Sequence, residues 1–180
     1  MRERFAYCED IRLLVEGRVS AVDAARQART AQEILKRLVD QPGVILADEV
    51  GMGKTFVALA VAVSVALADP RGRPVVVMVP PSLRAKWPKY FGVFRDRCLP
   101  PAVAARLASG EAERPVEFLK YLDDPRERRK SLLFVTHGAM SRGLFDKWTK
   151  LAIIWRAIRG RHGVAAVSYT HLTLPTTILV

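Results

Sequence analysis

An α/β fold, a parallel sheet with helices on both faces, is what this sequence predicts, and three observations carry the expectation. Residues 44–47 and 75–79 are short, unalternated apolar runs bounded by turn residues, the pattern of parallel strands covered on both sides. Between them lies the long apolar stretch of residues 56–68. A glycine-containing loop, residues 48–53, leads straight into that stretch. Strand, glycine loop, helix and strand in this order make a right-handed βαβ unit the natural topology.

The elements follow in order. Residues 20–38 are expected to be helical: Ser20 with Asp23 three residues on suits a capping box. Ala24, Ala28, Ala31, Ile34, Leu35 and Leu38 recur at helical spacing. Gln41, Pro42 and Gly43 stop that helix, and the strand at 44–47 follows. The apolar helix is expected from about Lys54 to Ala68, ending at Asp69-Pro70. After the strand at 75–79 and Pro80-Pro81, Ser82 is placed as the cap of a helix carrying Leu83, Lys86, Trp87 and Tyr90. The chain then reads as irregular near residues 99–101, and residues 119–130 as a charged, solvated segment. A third strand is expected at 132–135, followed by Thr136, His137 and Gly138 and a basic, aromatic helix over about 144–158. No internal repeat is evident.

Composition bounds what the chain can be. At 180 residues it has room for one domain, and 50% hydrophobic against 26% charged residues fits a chain that buries a core. Two cysteines, Cys8 and Cys98, with no CxxC spacing argue against a disulfide scaffold or zinc site and make a reducing, cytoplasmic setting the expectation. No secretory leader is visible at the N-terminus. The longest apolar run, 13 residues, falls short of the roughly 20 that span a bilayer, so no membrane partner is expected. With 29 Lys+Arg against 18 Asp+Glu the formal charge is +11, which nominates a polyanion as partner without identifying one.

The strongest chemical signal is Ala47-Asp-Glu-Val-Gly-Met-Gly-Lys-Thr55. A tight loop opening a helix aims successive backbone N–H groups inward, and the helix N-terminus adds partial positive charge, so the loop suits a polyphosphate. Gly51, Met52 and Gly53 supply loop amides, the glycines letting backbone approach phosphate without a Cβ in the way. Lys54 is placed to reach the β- and γ-phosphates, and the Thr55 hydroxyl to ligate Mg²⁺. The expected cofactors are ATP and Mg²⁺. One position departs from the general P-loop pattern: Asp48 stands where a glycine is usual.

That departure carries a resemblance. Leu46-Ala-Asp-Glu-Val-Gly-Met-Gly-Lys-Thr55 resembles motif I of the Swi/Snf-like DNA translocases, a branch of the superfamily two (DEAD/DEAH-box-like) helicases. Val77-Met-Val-Pro-Pro-Ser-Leu83 with Lys86-Trp87 is similar to motif Ia. Leu133-Phe-Val-Thr-His-Gly138 is similar to a later strand ending in a DNA-facing loop. Arg26-Gln27 with Thr30-Ala31 looks like the glutamine element that reads adenine. The resemblance spans about residues 25–138. It implies a RecA-like lobe that binds ATP through Gly51, Met52, Gly53, Lys54, Thr55 and Gln27, with Ser82, Thr136 and His137 toward double-stranded DNA. It also implies a second RecA-like lobe that this chain lacks. The family's motif II, an apolar strand ending in Asp-Glu-x-His, is not found, so no catalytic acid is assigned and the chain is expected to be inactive alone.

On this reading residues 1–166 are an incomplete first lobe. Residues 167–180 are expected to be a tail derived from a sequencing adaptor: residues 167–177 contain no Asp, Glu, Lys or Arg, and residues 167–176 match an adaptor translated codon by codon. Two alternatives stay open, a small P-loop kinase or NTPase unrelated to DNA, and a basic nucleic-acid-binding module with an inert P-loop. Bland readings stand beside the sharp ones elsewhere. Trp87 is expected to pack on the sheet, His137 to be a surface hydrogen-bonding group, and Arg126, Arg128, Arg129 and Lys130 to be solvated. The interleaved Arg142, Lys147, Trp148, Lys150, Trp155 and Arg156 suit either base stacking or an amphipathic core helix.

Overall fold

A computed structural model of the chain describes residues 5–15, 17, 19–49, 51–138, 147–148, 151 and 154–155. In chain order its elements are α1 (Ala21–Arg37), α2 (Lys54–Ala68), β1 (Val75–Val79), α3 (Trp87–Cys98), the short α4 (Pro101–Ala104), β2 (Ser109–Ala112), α5 (Pro115–Asp123) and β3 (Leu132–Thr136). The fold is mixed α/β, as expected.

Local chemistry sets the helix ends. The Ser20 hydroxyl accepts the Asp23 N–H at 3.1 Å and donates to the Asp23 carboxylate at 2.7 Å, capping α1. Ala24, Gln27, Ala31 and Leu35 form the buried stripe of α1, which packs along α2. Helix α2 has the predicted bounds and is buried on most of its circumference, at Val57, Leu59, Ala60, Ala62, Val63 and Ser64. Sandwiched between α1 and the sheet, it is the centre of the core.

The sheet is all parallel in the order β1-β3-β2, with Val75 opposite Leu132 and Val79 opposite Thr136 on one side, and Ser109 opposite Leu132 on the other. All five residues of the central β3 are buried. Leu132 and Phe134 face the core shared with α2 and α3, where the Phe134 ring meets Phe91 at 6.0 Å and Trp87 at 6.3 Å between centroids. Trp87 thus packs on the sheet as predicted. Leu133 and Val135 face the other way, joining Ala112 against Phe118, Tyr121 and Leu122 of α5.

Several expectations are corrected. Residues 44–47 do not join the sheet: Ile45 is 92% exposed, and the segment instead walls a groove with α1. Strand β3 is paired on both sides, residues 44–47 take neither of the open outer edges of β1 and β2, and four apolar residues alone do not distinguish a paired strand from an irregular connection. Two-sided cover, true of β3, fails for β1. Val76 and Met78, in register with Leu133 and Val135, are 38% and 49% exposed because α5 lies over β2 and β3. Ser82 caps no helix; it sits in a 3₁₀ turn, Pro81–Leu83, and α3 starts only at Trp87. Strand β2 and the start of α5 fall in residues 102–118, to which the sequence reading gave no element, and α5 runs on into the segment read as solvated. Pro115 opens α5, and the Glu117 carboxylate accepts the backbone N–H groups of Glu113 (2.9 Å) and Arg114 (3.2 Å).

The N-terminal segment straps the core. Ile11, Leu13 and Val15 are buried in alternation with exposed Arg12 and Leu14. Its backbone is tied down where the Cys8 N–H donates to the Ser64 hydroxyl at 3.1 Å and the Arg12 N–H to the Cys98 carbonyl at 2.8 Å. Of the helix expected over 144–158, residues 147, 148, 151, 154 and 155 are described and helical, with the Lys147 ammonium 5.3 Å from the Trp148 ring centroid. The remainder of that helix and the whole of 167–180 lie outside the described residues. Among the described residues no helix is long and apolar enough to cross a membrane.

Candidate functional site

The loop before α2 is shaped by two glycines. Gly51 has φ 90° and Gly53 φ 81°, both in the left-handed region that L side chains rarely adopt. Gly53 is also the N-cap of α2, so no side chain caps that terminus, and its first turn carries no acidic residue. The positive end of the α2 dipole therefore faces the loop without an anionic side chain of its own.

Lys54 gathers the loop around its head group. Its Nζ donates to the carbonyls of Asp48 at 2.7 Å and Glu49 at 2.6 Å. Helix α1 holds the loop from the other side. Arg26 Nη2 donates to the Met52 carbonyl at 3.0 Å, and its Nη1 lies 3.9 Å from the Asp48 carboxylate. Asp48, the residue that departs from the general pattern, thus serves the loop twice: its carbonyl holds Lys54 and its carboxylate faces Arg26.

Gly51, Gly53, Lys54 and Thr55 line an open cavity of about 330 Å³ together with Phe56 and Tyr90. Tyr90, on α3, is a lining residue that the sequence reading placed only as part of a helix. No local signal marked it, because its approach to the loop depends on how α3 packs against α2. Gln27 and Met52 are not lining residues. Gln27 is 5% exposed and lies beneath Gly53, with its Oε1 buried and unpartnered among the described residues. The glutamine predicted to read a base is therefore the floor of the loop.

The other predicted residues gather at the C-terminal edge of the sheet. Ser82 follows β1 and is exposed; His137 follows β3 and is exposed; Thr136, the last residue of β3, is buried. An ion pair between Arg84 and Glu113 joins the segments that follow β1 and β2. The start of α2 belongs to this edge too, since the helix ends beside Ser131, where β3 begins. Among the described residues no group of three or more His, Cys, Asp or Glu is placed to hold a metal ion.

Comparison with protein-family models, curated proteins and solved structures finds no match to this chain.

Proposed function

We propose that this chain is the ATP-binding portion of a DNA-dependent ATPase or translocase of the Swi/Snf-like type, an incomplete first RecA-like lobe. The observation that carries the reading is the loop itself. Two left-handed glycines deliver the backbone to an uncapped, acid-free helix N-terminus, with the Lys54 ammonium at the centre. A triphosphate fits this arrangement. The amides of the loop and of the first turn of α2 hold phosphate oxygens, and Lys54 exchanges its two neutral carbonyl partners for anionic oxygens, which make stronger, charge-assisted bonds. The Thr55 hydroxyl would hold the Mg²⁺ that accompanies the nucleotide, whose charge would offset that of the phosphates there. Gln27 and Arg26 keep the loop in shape from below and beside it.

Ser82 and His137, on the same edge of the sheet, supply the DNA-facing side chains of this reading, and Thr136 supports them from within the sheet. Hydrolysis needs a carboxylate to help hold the metal and a group to stabilise charge on the transferring phosphoryl. The sequence offers no Asp-Glu-x-His after an apolar strand. The chain accordingly binds Mg-ATP without turning it over, and the complete reaction belongs to a protein with both lobes.

Titration calorimetry of Mg-ATP into the purified chain and into Lys54→Ala tests the reading. Binding by the parent and its loss in the variant, with unchanged thermal unfolding, is the expected result. Equal heats for the two proteins would remove the assignment.

A further inference from the structure

At the far end of α2 from the glycine loop, where each strand begins, the chain forms a second concave site whose charged lining residues are all cations but one. A cleft of about 310 Å³ opens between the turn after α2 and the segment before β3, lined among others by Arg73, Arg106, Arg126, Arg129 and Lys130. A neighbouring cleft of about 490 Å³ shares Arg73 and Arg129 and adds Arg71. Asp69 is the single carboxylate among their described lining residues. It is already engaged by Arg73, which donates to it through Nε at 3.0 Å and Nη2 at 2.8 Å.

The guanidinium groups of Arg126 and Arg129 are held in place before any ligand arrives. Arg126 Nη2 donates to the Pro70 carbonyl at 2.9 Å, and Arg129 donates to the carbonyls of Asp124 at 3.0 Å and Arg71 at 3.2 Å. These partners are neutral, so they fix geometry without cancelling charge. A guanidinium carries five N–H donors, and the bonds named use one from Arg126 and two from Arg129. Preset, incompletely used forks of this kind match phosphate oxygens, and their like-charge repulsion is relieved by an anion.

We infer that this tract binds the phosphodiester backbone of a nucleic acid, on a face separate from the glycine loop. The two clefts are open and run into each other through Arg73 and Arg129, which suits a chain of phosphates better than one enclosed ion. At about 1.5 Å per residue, the 15-residue α2 sets the two sites roughly 22 Å apart. The inference does not rest on the reading of the glycine loop, and either can fail alone.

The test measures fluorescence anisotropy of a labelled DNA duplex against the full chain across a salt series, with tripolyphosphate as competitor. The variant is Arg106→Gln/Lys130→Gln, with each single substitution measured alongside and Lys54→Ala in every background to silence the loop. Arg128→Gln, a cation outside both clefts, is the charge-matched control for each single substitution. The expected result is weaker duplex binding in the double variant and a salt slope shallower by about 1.8, at about 0.9 per lost phosphate contact. The control should match the parent, and thermal unfolding should be unchanged. Equal affinity and slope in parent and double variant would overturn the inference. Tripolyphosphate binding that the variant loses, with duplex binding that it keeps, would overturn the backbone assignment in favour of a free polyphosphate.

Discussion

Gly53 and Gln27 are packed so closely that a Cβ built on Gly53 would lie 2.2 Å from Gln27 Nε2 and 2.7 Å from its Cδ. The loop before α2 therefore rests on an α1 side chain that is itself confined to the core.

The first prediction concerns this contact. Gly53→Ala must both displace the Gln27 amide and hold alanine at φ 81°. The backbone cost alone is about 1–2 kcal/mol. Adding Gln27→Ala removes the collision and leaves the backbone cost, so chemical denaturation of the double variant should show only partial recovery over the single one. Full recovery would mean that the loop readily adopts another conformation.

Arg26 gives a second prediction. It supplies a hydrogen bond to the Met52 carbonyl and faces Asp48, so it steadies both ends of the loop without lining the cavity. Arg26→Ala should cost about 1 kcal/mol of loop order, a typical net value for one hydrogen bond. Mg-ATP binding would then weaken roughly fivefold. Arg26→Lys should restore only part of this, because an ammonium cannot reproduce the fork. Calorimetric Kd values for the three proteins decide the point.

The third prediction tests the strand that sequence reasoning missed. A Cβ on Gly110 in β2 would meet the Tyr121 ring at 2.8 Å and Leu133 at 3.1 Å. Gly110→Ala should therefore push α5 away from the sheet and destabilise the chain by about 1–3 kcal/mol, the usual cost of overpacking. The same substitution at Gly43, whose Cβ would meet nothing within 4 Å, should cost much less in the same denaturant titration.

The fourth is a pH dependence. Burial pushes the Cys98 thiol up to about 11, and burial followed by the nearby Glu9 pushes the Tyr7 phenol up to about 12. Both groups stay protonated in the fold to higher pH than in the unfolded chain. Their stabilising contributions are therefore complete below the unfolded pKa and fade as pH rises, from about 9 to 11 for Cys98 and from about 10 to 12 for Tyr7. The melting temperature should fall through that window, and Tyr7→Phe should flatten the upper part of the fall. The same burial should shield Cys98 from alkylation at pH 8 in the native state and not in denaturant.

How legible the molecule is from its sequence depends on how local each determinant is. The α2 helix could be read to the residue, because Gly53 begins it and Asp69-Pro70 ends it regardless of surroundings. Residues 132–135 could be read as a strand because four adjacent apolar residues suit burial from both sides. Residues 44–47 have the same look, yet whether they pair depends on where tertiary packing carries them, and here they lie against α1 and reach neither open edge of the sheet. Strand β2, Ser-Gly-Glu-Ala, carries a strand breaker and a charge; its glycine is there to admit Tyr121, a reason 11 residues away that no local pattern contains. At the candidate site the loop residues were legible by motif. The positions of Gln27 and Tyr90 depend on how α1 and α3 pack against α2.

Strand order also has a consequence for the timing of synthesis. Strands β1 and β2 touch only through β3, which lies last in the sequence, with Val75 and Leu132 paired across 57 residues. A chain emerging from the ribosome can form α1, α2 and α3 early, but β1 and β2 have no neighbour until residues 132–136 appear. During that interval the apolar edge of β1 and the inner face of α2 are open to other chains, and holdase chaperones have their longest opportunity to bind. Both ladders need β3, so neither can be complete before residues 132–136 are made.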